Sequence, residues 1–237
     1  FGSDGLEGCQ HSVFEIISNS IDEAREGHGK KIVVTRFLDK SVEVQDFGRG
    51  IPVDYNNREK CYNWELVFCD LYAGGKYDTN NGGSYEYSLG LNGLGLCATQ
   101  YASEYMEAEI HTGGYRYFLK FKRGKINGEM VKEPYDKKDT GSRIKWRPDM
   151  DVFTDINIPL EFYQETLKRQ SVVNSGIKFV LKNQLNKTQF ETFEYYYENG
   201  ISDYVTEIAE DAALTSVQSW QTERIGRDRE DHKDYKV

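Results

Sequence analysis

Seven glycines fall within the 22 residues from Gly74 to Gly95, and this run constrains the chain more than any other feature of its sequence. Glycine loses more backbone entropy on ordering than other residues, so neither a helix nor a strand interior tolerates such a density. The run therefore predicts a long loop, and long loops inside compact domains are usually lids or binding loops. A short helix is expected to begin near Leu94, directly at the end of this loop.

On both sides of the glycine run, apolar residues repeat with two different periods. Helical spacing marks four segments, at 13–24, 64–71, 160–167 and 201–208. Alternation marks strands, most of them in hairpins, at 32–37 with 42–46, 106–110 with 115–121, 144–146, and 177–181 with 190–195. Hairpins with helices between them predict an α+β two-layer sandwich, in which a mixed, mostly antiparallel sheet carries helices on one face.

Charge and cysteine usage exclude several function classes. The 30 basic and 39 acidic residues give a net charge of −9, which argues against a surface that grips nucleic acid. No apolar run approaches the length of a membrane span. The four cysteines form no C-x-x-C pair, so zinc-site spacing is absent and reduced, mostly buried thiols are expected.

The first predicted helix carries a polar stripe opposite its apolar face. Glu15, Asn19 and Glu23 follow one another at intervals of four and therefore share one side of the helix. An amide oxygen suits Mg²⁺, which takes few protein ligands, while a carboxylate can deprotonate water. An ordinary solvated helix face explains the stripe equally well when it is considered alone.

The second candidate site is the string 46–52, D-F-G-R-G-I-P, at the end of a predicted strand. Its glycines let the backbone turn sharply beneath a ligand, and the Asp46 carboxylate can then accept a hydrogen bond from an exocyclic amine such as that of adenine. A plain Asx turn is the alternative. Arg49 is placed to pair with Glu23 and form a wall of the pocket. The site also includes Gly50 and Pro52.

The third candidate is the end of the glycine run, which passes into the short helix. Its backbone N–H groups can converge on an anion, and the helix N-terminus adds its dipole. Lys76 can add a point charge for phosphates. The run does not follow a strand as a Rossmann fingerprint does, and no Walker lysine string is present. The residues assigned to this site are Gly90, Leu91, Asn92, Gly93, Leu94, Gly95 and Leu96.

Taken together and in this order, the three sites resemble the Bergerat ATP-binding fold of the GHKL superfamily. Two further strings narrow the resemblance: L-Y-A-G-G-K-Y at 71–77 and Y-E-N-G-I at 197–201. Both are similar to strings in the ATPase domain of bacterial type IIA DNA topoisomerases, namely gyrase B and topoisomerase IV B. The likeness runs from about His11 to Ile208.

The resemblance implies a role for each matched residue. Glu15 would be the general base, Asn19 the Mg²⁺ ligand and Asp46 the adenine acceptor. Tyr85 would line the nucleotide site, and Ser142 would lie near adenine. The cofactors implied are ATP and Mg²⁺, and the function implied is ATP-driven gate closure for DNA strand passage.

The resemblance also implies partners and a domain division. A second copy of the same protein, a separate DNA-cleaving subunit and DNA held by other domains are expected, in the bacterial cytoplasm and without a membrane. Residues 1–210 would form the ATP-binding domain, with 211–237 a linker or the start of a truncated transducer domain. Without most of the N-terminal arm that clasps a partner, this chain is expected to be monomeric.

Several positions depart from the family pattern. Asn92 replaces the usual histidine and Leu89 the usual glycine, which keeps open a nucleotide-binding module with little turnover. His111-Thr112 replaces an arginine that holds aminocoumarin inhibitors in many gyrases. The other alternative is a GHKL clamp of another class, either a chaperone or a MutL-like mismatch-repair protein.

Overall fold

A computed structural model describes residues 2–71, 94–210, 214–220, 222, 225–226 and 235–236. The helices are α1 (Leu6–Arg25), α2 (Asn63–Cys69), α3 (Gly95–Tyr101), α4 (Leu160–Val173) and α5 (Ile201–Ala209). The strands before α3 are β1 (Lys31–Arg36), β2 (Val42–Gln45), β3 (Tyr55–Asn56) and β4 (Cys61–Tyr62). Those after it are β5 (Ser103–Thr112), β6 (Tyr115–Lys122), β7 (Lys125–Ile126), β8 (Val131–Pro134), β9 (Gly141–Pro148), β10 (Lys178–Gln184), β11 (Phe190–Tyr195), β12 (Ile225–Gly226) and β13 (Tyr235–Lys236).

Nine strands form one mixed sheet in the order β11-β10-β1-β2-β9-β5-β6-β7, with β8 also paired to β6. The β1–β10 pair is parallel, with Lys31 opposite Lys178, and the other pairs within the sheet are antiparallel. Strand β9 lies between β2 and β5 in the sheet. Because β2 and β9 are antiparallel, the C-terminal end of β2 lies beside the N-terminal end of β9. This pairing brings Asp46 next to Ser142, whose carbonyl accepts the Asp46 N–H at 2.9 Å.

The two faces of the sheet differ sharply because successive side chains point to opposite sides. On the inner face Val44, Ile144 and Ala108 lie in register and are buried. On the outer face the neighbouring row consists of Glu43, Lys145 and Glu107. Such alternation is typical of an antiparallel sheet with one solvated side.

The helices contribute apolar residues to one continuous core with the inner face of the sheet. Helix α1 provides the stripe that its spacing predicted, from Val13 to Ala24, and α4 provides Tyr163 and Leu167. Trp146 of β9 is fully buried, and its Nε1 donates to the Thr99 carbonyl of α3 at 2.9 Å. The two-layer α+β architecture predicted from the sequence is therefore confirmed.

The structure corrects the sequence-based expectations at the chain start. The periodicity placed the start of the first helix at Val13, but α1 begins at Leu6. Gly8 lies within the first turns of this helix, and a Cβ there would overlap the Ser3 carbonyl. The short strands β3, β4, β7 and β8 were not expected, since their residues are too few to show a period. Among the described residues, no helix is both long and apolar enough to cross a bilayer.

Candidate functional site

The polar stripe of α1 faces the beginning of α3. The Glu15 carboxylate is packed so closely against Gly95 that a Cβ on this glycine would overlap it. Its Oε1 lies 2.9 Å from Nε2 of His11, one helical turn earlier. The structure thus brings together two sites predicted separately, the helix stripe and the end of the glycine run. A larger residue at position 95 would push the Glu15 carboxylate away from the helix start.

Asn19 lies on the same side of α1, one turn after Glu15, and it is exposed. An exposed amide oxygen beside a carboxylate is a donor set that a hard cation with many water ligands can use. Within the described ranges, no cluster of three or more His, Cys, Asp or Glu side chains could hold a metal by itself. A cation here would therefore depend on ligands from water and from a bound phosphate.

Asp46, at the end of β2, is anchored through one of its carboxylate oxygens. Its Oδ1 accepts hydrogen bonds from the backbone N–H groups of Gly48 at 3.0 Å and Ser142 at 3.1 Å. Its Oδ2 lies 3.4 Å from the hydroxyl of Ser20 on α1. Burial is the main cause that raises the pKa of this carboxyl to about 6, and the nearby Glu23 charge adds to it. A carboxylate fixed in this way can present one oxygen to a ligand.

Ser142 connects Asp46 to the turn that follows it. Its hydroxyl accepts a hydrogen bond from the backbone N–H of Ile51 at 2.9 Å, which fixes the D-x-G-x-G string against β9. The preceding residue, Gly141, has φ +138, and a Cβ on it would overlap the Asp46 carbonyl. Gly50 has φ +88 and packs beside His111 and Ile110 of β5. These close approaches explain why the turn requires glycine.

The Glu23–Arg49 pair expected from the sequence is present. Arg49 donates from Nε and Nη2 to the two carboxylate oxygens of Glu23 at 2.9 and 2.8 Å, and its backbone N–H adds a third bond. Although burial acts to raise it, these hydrogen bonds hold the pKa of Glu23 below its ordinary value. Glu26 also binds Arg49, at 2.5 Å. Gly48 lies directly against Glu23, where a Cβ would overlap the side chain.

The remaining predicted site residues divide into two groups. Pro52 is exposed after the turn, Leu94 precedes α3, and Leu96 is buried within that helix. The others lie outside the described residues: Lys76, Tyr85, Gly90, Leu91, Asn92 and Gly93.

Three contacts at the site were not anticipated from the sequence: His11 with Glu15, Ser20 with Asp46, and Glu26 with Arg49. The i, i+4 spacing of His11 and Glu15 could have indicated the first. The other two join Ser20 of α1, and Glu26 directly after it, to a turn more than 20 residues away, so no local pattern indicates them.

Comparison with protein families gives one match that covers most of the chain. Residues 6–151 match the model described as "Histidine kinase-, DNA gyrase B-, and HSP90-like ATPase". The chain belongs to this ATPase family. The matched range contains Glu15, Asp46 and Ser142, and with them the whole described site.

Curated relatives of the chain are bacterial topoisomerase components. It is 36% identical over 210 residues to DNA gyrase B of Treponema denticola, an alignment covering 88% of this chain and 32% of the relative. It is 33% identical over 198 residues to DNA topoisomerase 4 B of Escherichia coli, covering 83% of this chain and 30% of that protein. The chain thus spans roughly a third of the length of the relatives it matches.

A solved structure of this ATPase family supports the fold. The crystal structure of the 43K ATPase domain of Thermus thermophilus gyrase B in complex with an aminocoumarin matches with a TM-score of 0.75. The match covers 94% of this chain and 54% of that one, at 22% sequence identity. The likeness establishes that the two chains share a fold.

Proposed function

We propose that this chain is the ATP-binding and ATP-hydrolysing domain of a bacterial type II DNA topoisomerase. The observation that carries the proposal is the contact of Glu15 with the start of α3. Glu15 lies on α1, the same helix whose Ser20 approaches the anchored carboxylate of Asp46. In this proposal one carboxylate acts at a phosphate site, and the other recognises a base. The topoisomerase assignment draws on the gyrase and topoisomerase IV relatives.

In this proposal, Asp46 recognises adenine. Two backbone donors occupy its Oδ1, so Oδ2 is available to accept a hydrogen bond from the 6-amino group. The Ser142 hydroxyl accepts from Ile51, which leaves its own hydrogen available to a ligand or a bridging water. The neighbouring ion pair of Glu23 and Arg49 forms the wall of the pocket and keeps the turn in place.

Glu15 is the proposed general base for the attacking water. Its contact with Gly95 puts the carboxylate at the helix start where N–H groups and the dipole favour a phosphate. His11 holds one of its oxygens, which leaves the other to accept the proton of water. Asn19 would hold Mg²⁺, and the ion would neutralise charge on the phosphates when bound.

We further propose that the complete protein works with a second copy of itself and with a DNA-cleaving partner subunit, in the bacterial cytoplasm. ATP binding would close the two copies on a DNA segment, and hydrolysis would reopen them. The net charge of −9 agrees with a domain that transmits the state of the nucleotide while other domains hold DNA.

The test combines nucleotide binding by this chain with hydrolysis by the full-length protein. Calorimetric titration should show binding of ATP in preference to GTP. Hydrolysis by the full-length protein, with DNA and its partner, should require Mg²⁺ and cease when EDTA removes it. A folded domain that binds no adenine nucleotide would overturn the proposal. Hydrolysis that is unchanged in EDTA would remove Mg²⁺ from the mechanism.

Replacing His11 by alanine should lower the rate of ATP hydrolysis by about tenfold. This loss is smaller than the one expected from removing the general base that His11 orients. ATP affinity should remain within about twofold, because base and phosphate contacts are retained. Lys168→Ala is the control, since this side chain also pairs with a glutamate, Glu207 at 2.8 Å, but between α4 and α5 rather than on α1. Equal losses in the two variants would assign His11 a structural role.

A further inference from the structure

Three buried serines of α1 use their hydroxyls in two different ways. Those of Ser12 and Ser18 donate to carbonyls of their own helix, Gly8 at 2.9 Å and Glu15 at 3.0 Å. Such bonds are the usual way for a serine within a helix to satisfy its hydroxyl. The Ser20 hydroxyl instead leaves the helix and approaches Oδ2 of Asp46 at 3.4 Å. Its bond therefore crosses between two parts of the site.

Helix stability does not account for a serine at this position. Ser20 is 6% exposed, and alanine would be the better helix former at such a site without burying a hydroxyl. The hydroxyl therefore satisfies its hydrogen-bonding capacity through the Asp46 carboxylate. The Ser20 hydroxyl does not favour the helix, but it contacts the carboxylate proposed to bind the base. This contrast indicates that Ser20 contributes to the function of Asp46.

The geometry around Asp46 defines what this bond can do. Oδ1 is fixed by Gly48 and Ser142, so the carboxylate can still tilt about the axis that these two bonds define. The Ser20 hydroxyl, 3.4 Å from the second oxygen, restricts this tilt. Since a carboxylate oxygen has two lone-pair directions, one bond from Ser20 leaves one direction for a ligand.

We propose that Ser20 is a positioning residue for base recognition, which aims Oδ2 of Asp46 at the 6-amino group of the bound purine. The inference rests on the proposed function and assigns it a further residue. The charged groups facing this carboxylate are Glu23, which opposes its ionised form, and Arg49, which is paired with Glu23. The Ser20 hydroxyl favours the ionised form, and only that form has both oxygens free to accept.

The experiment compares two nucleotides in two variants of the full chain. The nucleotides are ATP and purine riboside triphosphate, which lacks the 6-amino group and is otherwise the same. Ser20→Ala should weaken ATP binding by about threefold to fivefold, the weight of one modest hydrogen bond. It should leave the affinity for purine riboside triphosphate unchanged. Ser12→Ala removes a buried hydroxyl from the same helix and should change neither affinity.

The outcomes separate this inference from the proposed function. If the wild-type protein prefers ATP and Ser20→Ala retains the full preference, the inference is overturned and the function stands. Equal losses for both nucleotides would also overturn it, because they would show a packing role. If the wild-type protein binds both nucleotides equally, Asp46 does not read the amine, and the adenine assignment falls together with the role of Ser20.

Discussion

Replacing Glu15 by alanine in the full-length protein should lower ATP hydrolysis by about 10²-fold or more, while ATP still binds within a few fold of the wild-type affinity. The loss is the usual weight of a positioned general base. Binding should survive because the proposed adenine acceptor is Asp46, on another element, and the proposed phosphate contacts are backbone N–H groups, which the substitution leaves in place. Phosphate release and calorimetric titration measure the two effects separately.

Two further variants sharpen this test. Glu15→Gln keeps the size of the side chain and its contact with Gly95 but cannot take a proton, so it should lose as much hydrolysis as the alanine variant. Glu7→Ala removes an exposed glutamate from the first turn of the same helix and should hydrolyse ATP normally. Turnover by Glu15→Ala within a few fold of wild type would show that another group activates the water.

Local periodicity explains why much of the fold was predictable. The apolar stripe from Val13 to Ala24 and the alternation in β5 and β6 are local patterns. Each indicates its type of secondary structure without reference to the rest of the chain. The polar stripe with Glu15 and Asn19 has the same helical period as the apolar stripe on the opposite face of the helix. These features survive in the structure because local preference and tertiary packing agree.

The strand order could not be predicted in this way. The parallel pairing of β1 with β10 places Lys31 opposite Lys178, although the two residues are far apart in the sequence. No pattern in either strand indicates which strand it pairs with. The contact of Glu15 with Gly95 depends on how α1 and α3 pack. Sequence spacing indicated that both belong to a nucleotide site, but only the tertiary structure shows which atoms meet.

The Asp46 pocket shows the same division. The D-x-G-x-G string indicated a turn with a free carboxylate, and its Asx-type bond to Gly48 is a local feature. The bond from Ser142 comes from a strand almost 100 residues later, and it decides which oxygen remains for a ligand. The string therefore predicted a carboxylate at this turn, and the sheet register determines which of its oxygens remains for the proposed base contact.

Asp46→Asn should lose about tenfold to a hundredfold in ATP affinity while the apo domain becomes more stable at neutral pH. The two backbone donors at Oδ1 require an acceptor, so the asparagine must direct its own oxygen toward Gly48 and Ser142. Its Nδ2 then replaces Oδ2 and faces the 6-amino group of adenine. Two donors in contact cost about 1–3 kcal/mol, which corresponds to the expected loss of affinity.

The stability gain follows from the raised pKa of Asp46. Its pKa of about 6 in the folded protein, against an ordinary value of 3.8, means that the ionised form destabilises the fold. The contribution is absent below about pH 3.8 and complete above about pH 6, where it reaches at most about 3 kcal/mol. Asparagine cannot ionise, and its Nδ2 can donate to the Ser20 hydroxyl. The free energy of unfolding of the Asp46→Asn protein should therefore exceed that of wild type by about 1–3 kcal/mol at pH 7.5.

Urea unfolding of both proteins at pH 7.5 and pH 4.5 tests the sign as well as the size of this effect. The difference between them should be large at pH 7.5 and shrink toward pH 4.5, since the other carboxylates titrate alike in both. Asp39→Asn is the matched control, because hydrogen bonds from Ser41 hold the pKa of Asp39 below its ordinary value despite partial burial. That variant should gain no stability at pH 7.5.

The two halves of the Asp46 prediction have separate physical causes, so each can fail alone. A folded Asp46→Asn protein with wild-type ATP affinity would remove Asp46 from the adenine site. A variant that loses ATP binding but gains no stability would show that the pocket solvates the carboxylate well without a ligand. If both halves hold, the apo domain retains a destabilising buried charge because ATP binding requires the acceptor that this charge provides.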